Sequence, residues 1–278
     1  MSKEAPKSEK PLNGQAWTRV IEALSHSQRA ARYVLRFLEL IVTKEVRITR
    51  LASPFSADIK PYGAFSGELA HIIRAAIELK SADYWEAVQC EGKIVVDIGA
   101  FVGDSARYFL ARGAAKVYCF EPSTRVLREA LENTKNARQV KVYHEAVGLV
   151  DGVVSLRSTR MGLSYSRGSG EIVNVVSFRH AVERILNREG RADVLKLDCE
   201  GCEWDVLTIE NIDVLQEFES IAVEIHGQDS IRLVHFLKMI GFMLTGYRRT
   251  STSPLVFRKR YRCDRLTSMG IRSRLNAS

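Results

Sequence analysis

A doubly wound α/β fold on a mostly parallel sheet is predicted by three features of this 278-residue sequence. The first is an apolar run, Ile94 to Ile98, that stops at Gly99 and passes through Gly103 into Asp104, Ser105, Ala106 and an apolar helical stretch. This pattern is a short buried strand, a glycine turn and a helix. The second is the alternation of strand-like and helix-like segments that follows it, the mark of parallel strands with helical crossovers. The third is a pair of β-rich segments, 242–248 and 255–260, parted by Thr-Ser-Thr-Ser-Pro, which reads as an antiparallel hairpin at the sheet edge.

Taken in order, residues 1–14 are polar, with no apolar segment behind them, and are expected to be a disordered tail rather than a secretory signal. Residues 15–91 are expected to be a helical region. Trp17, Val20, Ile21 and Leu24, then Val34, Leu35, Leu38, Ile41 and Val42, recur at helical spacing, with a break near Ser25. Pro54, Pro61, Gly63 and Gly67 make 47–67 read as loop, and an amphipathic helix is placed from Ser66 through Ile77. A further helical turn is placed at Tyr84 to Val88.

The core is assigned to 92–263. Helix 104–112 leads to strand 116–121, helix 123–136 to strand 140–146, and helix 179–189 to strand 194–198. Strand 221–225 and helix 229–240 precede the last hairpin. Residues 151–178 break the alternation and read as a β-hairpin insertion, with a Gly/Ser/Arg loop at 160–170 placed to cover the site. Residues 264–278 form a basic C-terminal tail.

Composition narrows the function. The apolar fraction of 46% is that of a globular chain. No apolar run reaches the roughly 18 residues of a membrane helix, so no membrane partner is expected. The five cysteines, an odd and scattered set, argue against a disulfide framework and for a reducing, cytoplasmic setting. The Cys199-x-x-Cys202 pair suggests a redox pair or half a zinc site, but with no second close pair to complete a zinc site the two are read as small packing residues around a loop. The net charge of +8 is uneven: from Arg258 onward arginines and lysines outnumber a lone acid, Asp264.

The glycine turn suggests a cofactor. Dinucleotide sites use G-x-G-x-x-G. Here the spacing is G-x-x-x-G, with Asp97 in the strand before it. A carboxylate there repels a pyrophosphate but suits a cation, such as the sulfonium and ammonium of S-adenosylmethionine. A second strand ends at Glu121, placed to accept hydrogen bonds from both hydroxyls of a ribose. Asp104 is expected to cap its helix.

Four blocks, VVDIGAFVGDSA from Val95, VYCFEPS from Val117, VLKLDCEGCEWDVL from Val194 and VEIHG from Val223, together resemble the FkbM-type family of S-adenosylmethionine-dependent methyltransferases. The resemblance spans roughly residues 92–245. It implies a Rossmann-like class I methyltransferase core with a seven-stranded, mostly parallel sheet, and a cofactor held by Asp97, Gly99, Ala100, Phe101, Gly103, Asp104, Glu121, Pro122, Glu145, Ala146 and Asp198. It also implies O-methylation of a hydroxyl on a small molecule or sugar. Cys199 and Cys202 depart from the small or apolar residues expected there.

On the acceptor side the candidates are Lys196, Asp198, Glu200 and His226, at the ends of two strands expected to flank the first. A hydroxyl acceptor needs a base, and His226 is the side chain most readily poised for that role near neutral pH. Lys196 is weighed against an alternative in which it only pairs with a buried acid. Glu203 is expected in the first turn of a helix. No metal is expected, although Asp198, Glu200 and His226 offer donors for a divalent ion. The basic tail, with Arg157, Arg160 and Arg167 of the insertion, makes RNA the alternative acceptor; a non-catalytic binding module is the third reading.

Overall fold

The computed structural model describes residues 28–80, 85–159, 162–167, 170–227, 230–246 and 255–260. The tails 1–14 and 264–278, the first helical pattern at 16–24 and Arg160 lie outside them. The central sheet has seven strands: β4 (Ile94–Ile98), β5 (Lys116–Phe120), β6 (Val140–Tyr143), β11 (Val194–Leu197), β12 (Ser220–Val223), β13 (Phe242–Gly246) and β14 (Leu255–Lys259). Their order is β13-β14-β12-β11-β4-β5-β6. The pairs among β12, β11, β4, β5 and β6 are parallel, and β14 runs antiparallel between β12 and β13. This is the expected mostly parallel sheet with its closing hairpin.

Every residue of β4 is buried, as a central parallel strand covered on both faces requires. The two-residue period of the strands then separates two cores. Val96, Ile98, Leu195, Leu197, Ile221 and Val223 face α5 (Phe178–Glu189), the helix that follows α4 (Thr124–Thr134) in the chain, and α5 contributes Phe178, Val182 and Ile185. Val95, Val117, Cys119, Val194 and Ala222 face the other way. That second core is completed by α3 (Asp104–Ala111), through Phe109, and by the N-terminal region, through Phe37 of α1 (Gln28–Val42) and Ile72 and Ile73 of α2 (Leu69–Lys80).

The N-terminal region is not purely helical. The stretch read as loop is an antiparallel meander of β1 (Val46–Arg50), β2 (Phe55–Ile59) and β3 (Gly63–Gly67). The prolines and glycines lie at its turns and strand ends. Between them Phe55, Ala57 and Ile59 alternate as buried residues, a period-two signal masked by the turn formers around it. The helix placed from Ser66 therefore begins later, at Leu69, and Ser66 pairs with Ser56. Residues 85–88 form a single turn closed by Val88 N–H donating to Trp85 O at 2.9 Å; Tyr84 lies outside the described residues.

The insertion is larger than a hairpin. The strand predicted over 140–146 stops at Tyr143, and β7 (Ala146–Gly148) leaves the central sheet to pair in parallel with β10 (Glu171–Ser177). β10 pairs with β8 (Gly152–Thr159), which pairs with β9 (Gly162–Arg167). The four strands run in the order β7-β10-β8-β9, and β9 occupies much of the predicted loop. Pairing along one side with β8 makes it an edge strand despite its Gly/Ser-rich composition. No described helix is long and apolar enough to cross a membrane.

Candidate active site

The carboxyl ends of β4, β5 and β11 open into a cleft of about 790 Å³, mouth included. This is where ligands bind in an open α/β sheet. The turn after β4 shapes its floor. Gly99 has φ +82°, and a Cβ there would lie 1.8 Å from the carbonyl oxygen of Asp198, so only glycine lets the two strand ends approach. Gly103, at φ 83°, is the N-cap of α3. Asp104 therefore does not cap the helix as expected. It is the first helical residue, one position past the cap, and is buried. Phe101, between the glycines, sits at φ 46°, a backbone region that costs about 1–3 kcal/mol for such a residue and is concentrated at ligand sites.

Parallel register puts Lys196 of β11 directly beside Asp97 of β4. Their charges meet at 2.9 Å, and they are 2% and 0% exposed. Lys196 Nζ also donates to Gly99 O at 2.5 Å, and Ser105 Oγ donates to Asp97 at 2.6 Å. Burial works against the ammonium, but Asp97 and Asp198 overcome it and raise the Lys196 pKa above the ordinary lysine range. Asp97 thus stands wholly buried behind the residues that line the cleft. Its partner is a lysine that is hard to see from sequence, because a cation in an apolar strand pattern is compatible with either a site or an ion pair.

Glu121 follows β5, is 6% exposed and lines the cleft. Its oxygens accept the backbone N–H of Phe101 at 3.0 Å and of Ser123 at 2.8 Å. Burial lifts its pKa to about 7 although both donors pull it down. Burial and Glu78 push Asp104 up to about 8, against Lys196 and Arg74. Pro122, Glu145, Ala146, Val147 and Leu156 line the side of the cleft under the insertion.

After β11 the chain turns sharply: Glu200 has φ 56° and Gly201 φ 127°. The turn brings Cys199 and Cys202 to a Cα separation of 5.5 Å, within disulfide range, and they are bonded. The expectation of two unlinked packing residues is corrected. The C-x-x-C spacing admits the bond, and the left-handed turn between the two sets the distance. α6 (Glu203–Val206) follows. Glu203 is 0% exposed, and its carboxylate holds His226 Nδ1 at 2.7 Å. His226 lies past the end of β12; Glu224, expected inside that strand, lies just beyond it too. Trp204 Nε1 donates to His226 O at 2.7 Å and anchors this segment.

The other imidazole nitrogen, Nε2, faces Glu200 at 3.6 Å and Asp198 and Glu224 at 3.8 Å each. Burial disfavours the imidazolium, but Glu203, Glu200 and Asp198 together push the His226 pKa up to about 9. Asp198, Glu224 and His226 also present one donor atom each within 4.8 Å of one another.

Of the residues singled out in the sequence, Gly99, Phe101, Asp104, Glu121, Pro122, Glu145, Ala146, Lys196, Asp198 and Glu200 line the cleft. Ala100, Gly103 and Asp97 do not, and His226 reaches it only through Asp198 and Glu200. Sequence reasoning missed the lining residues Arg74, Glu78, Trp85 and Leu156. They come from the N-terminal region and the insertion, far away in the chain, and no local pattern marks them.

The methyltransferase FkbM domain profile matches residues 97–250, more than half of the chain. A protein of Sulfolobus islandicus filamentous virus is 26% identical over 173 residues, 60% of this chain and 84% of that protein. Among solved structures, fibrillarin from Aeropyrum pernix, in complex with S-adenosyl-L-methionine, is 11% identical with a TM-score of 0.39, over 77% of this chain and 98% of its own. An rRNA methylase from Streptococcus thermophilus is 16% identical with a TM-score of 0.37, over 63% and 90%. The motif residues, the sheet order and the profile match agree, and the chain belongs to the FkbM family of S-adenosylmethionine-dependent methyltransferases.

Proposed function

We propose that this methyltransferase transfers the methyl group to a hydroxyl of a small molecule or sugar, with His226 as the base. The observation that carries the reading is the wholly buried Glu203 carboxylate fixed 2.7 Å from His226 Nδ1. It sets the tautomer and turns Nε2 toward the two acids that line the cleft, Asp198 and Glu200. An alcohol is a weak nucleophile until its proton leaves, so a base held in this way is what a hydroxyl acceptor needs.

The chemistry of the cleft lining suits S-adenosylmethionine. Glu121 would offer a buried carboxylate to ribose hydroxyls, and the carboxylates of Asp198 and Glu200 in the same cleft would suit a cationic sulfonium. The bound cofactor supplies an electrophilic methyl group. Asp198 and Glu200 orient the acceptor, and Nε2 takes its proton. Glu203 stabilises the resulting imidazolium. Because His226 titrates at about 9, roughly 1% of the rings are neutral at pH 7, and turnover should climb with pH up to about 9.

The test is methyl transfer to a panel of hydroxylated small molecules. His226→Ala should cut the rate by about 10²–10⁴ with unchanged affinity for S-adenosylhomocysteine. Near-normal turnover would move the role to Asp198 or Glu200. A second reading rests on the three donors within 4.8 Å: a divalent ion there would bind the hydroxyl and acidify it. Activity that a chelator abolishes and magnesium restores selects that reading. For RNA, affinity should fall with salt at a log–log slope near −0.7 per phosphate neutralised, and deleting 264–278 should flatten it. Among the described basic residues near that end, Arg258 donates to Ala87 O and Lys259 to Gln216 O, so both serve the fold.

A further inference from the structure

We infer that Arg74 and Glu78, on α2, clamp the amino-acid end of S-adenosylmethionine, Arg74 taking its carboxylate and Glu78 its ammonium group. The inference rests on the cofactor and on the placing of its ribose at Glu121; it is independent of the acceptor. S-adenosylmethionine has two chemically opposite ends, a neutral flat adenine and a zwitterion. The cleft is divided in the same way. Beyond Glu121 it is lined by Pro122, Ala146, Val147 and Leu156, largely apolar, and by Glu145, whose charge is taken up by Arg184 at 2.7 Å. Across the Gly99–Phe101 turn it is lined by Arg74, Glu78 and Asp104, all ionisable.

A zwitterion can leave water only where each charge meets an opposite one. The helix provides this arrangement through its own geometry. Residues four apart share a face, and Arg74 Nε lies 2.5 Å from Glu78 Oε1 with side chains only 17% and 16% exposed. The arginine is further held by Phe101, whose ring lies 4.9 Å from Cζ. A planar guanidinium suits a carboxylate better than any other side chain.

The helix itself is firmly seated. Ala75 packs with Val102 and Val126 beneath the glycine turn, and Ile72, Ile73 and Ala76 enter the core behind it. The two charged residues are therefore fixed against the turn rather than waving over it. α2 lies outside the matched segment 97–250, so this half of the cofactor site is something the N-terminal region brings to the family core.

Titration calorimetry with two ligands decides the matter. S-adenosylhomocysteine carries the amino-acid group; 5′-methylthioadenosine shares its adenosine and thioether but lacks it. Arg74→Met should weaken S-adenosylhomocysteine about tenfold or more, the loss expected for a charged hydrogen bond, and leave methylthioadenosine within about twofold. Glu78→Gln should act in the same direction, and Arg74→Lys should recover part of the loss. Methylthioadenosine binding reports in each sample that the cleft is folded. Equal weakening of both ligands by Arg74→Met would make the residue structural and overturn the assignment. Unchanged S-adenosylhomocysteine affinity would overturn it as well, and would leave Arg74 facing the acceptor. A failure to methylate any hydroxyl would touch neither measurement.

Discussion

Replacing Lys196 by Met separates two roles that a lysine in the cleft can play. Lys196 and Asp97 are 2% and 0% exposed, their charges 2.9 Å apart. Met has similar length and no charge, so the variant leaves the Asp97 carboxylate buried with Ser105 Oγ at 2.6 Å and the Cys119 thiol at 3.8 Å. Removing one member of a buried pair costs about 3–5 kcal/mol, chiefly for the charge left behind. The bond from Nζ to Gly99 O, which ties the strand to the cleft turn, goes with it. Against a total stability of about 5–15 kcal/mol, urea unfolding should show a midpoint lower by roughly 1 M or more. The double variant Asp97→Asn with Lys196→Met should recover a good part of the loss, because it removes the orphaned charge. A single variant within about 1 kcal/mol of wild type, but with turnover greatly reduced, would refute this reasoning and make Lys196 a residue that acts on the substrate.

Other expectations follow from the same site. Glu121 titrates at about 7 because burial outweighs its two backbone donors, and ribose hydroxyls need the ionised form. Binding of S-adenosylhomocysteine should then release a proton, and affinity should fall by up to tenfold per pH unit below 7 and level off above it. Calorimetry across that range checks the slope; Glu121→Ala should weaken binding by about 1–3 kcal/mol and flatten it, and a pH-independent wild type would contradict the role. Gly99→Ala would place a Cβ 1.8 Å from Asp198 O at φ +82°, so a loss of about 3 kcal/mol or more is expected, and an unaltered thermal midpoint would show that the strand ends can part. Glu203→Gln removes the carboxylate that does most to raise the His226 pKa; the pH at which turnover levels off should drop below about 9, and an unmoved profile would assign that titration to another group.

Much of the frame was legible in the chain because local rules govern it. The run Ile94 to Ile98 must be a strand buried on both faces, Gly99 and Gly103 must make the turn, and the alternating segments after it must wind into a parallel sheet. Asp97, Glu121, Asp198 and His226 could be found because strand ends collect chemistry in such sheets. Their roles could not be sorted, since burial and partners are properties of the packed molecule. Asp97 is spent on Lys196 only because the register of β4 and β11 sets them side by side. His226 is held by Glu203, and Cys199 joined to Cys202, only because a left-handed turn at Glu200 and Gly201 folds the segment back. The meander at 46–67 was hidden because prolines and glycines mark its turns as strongly as they would mark a loop. Arg74 and Glu78 were beyond reach for the plainest reason: a helix pair at four-residue spacing looks like any solvated salt bridge until α2 is seen to pack against the glycine turn.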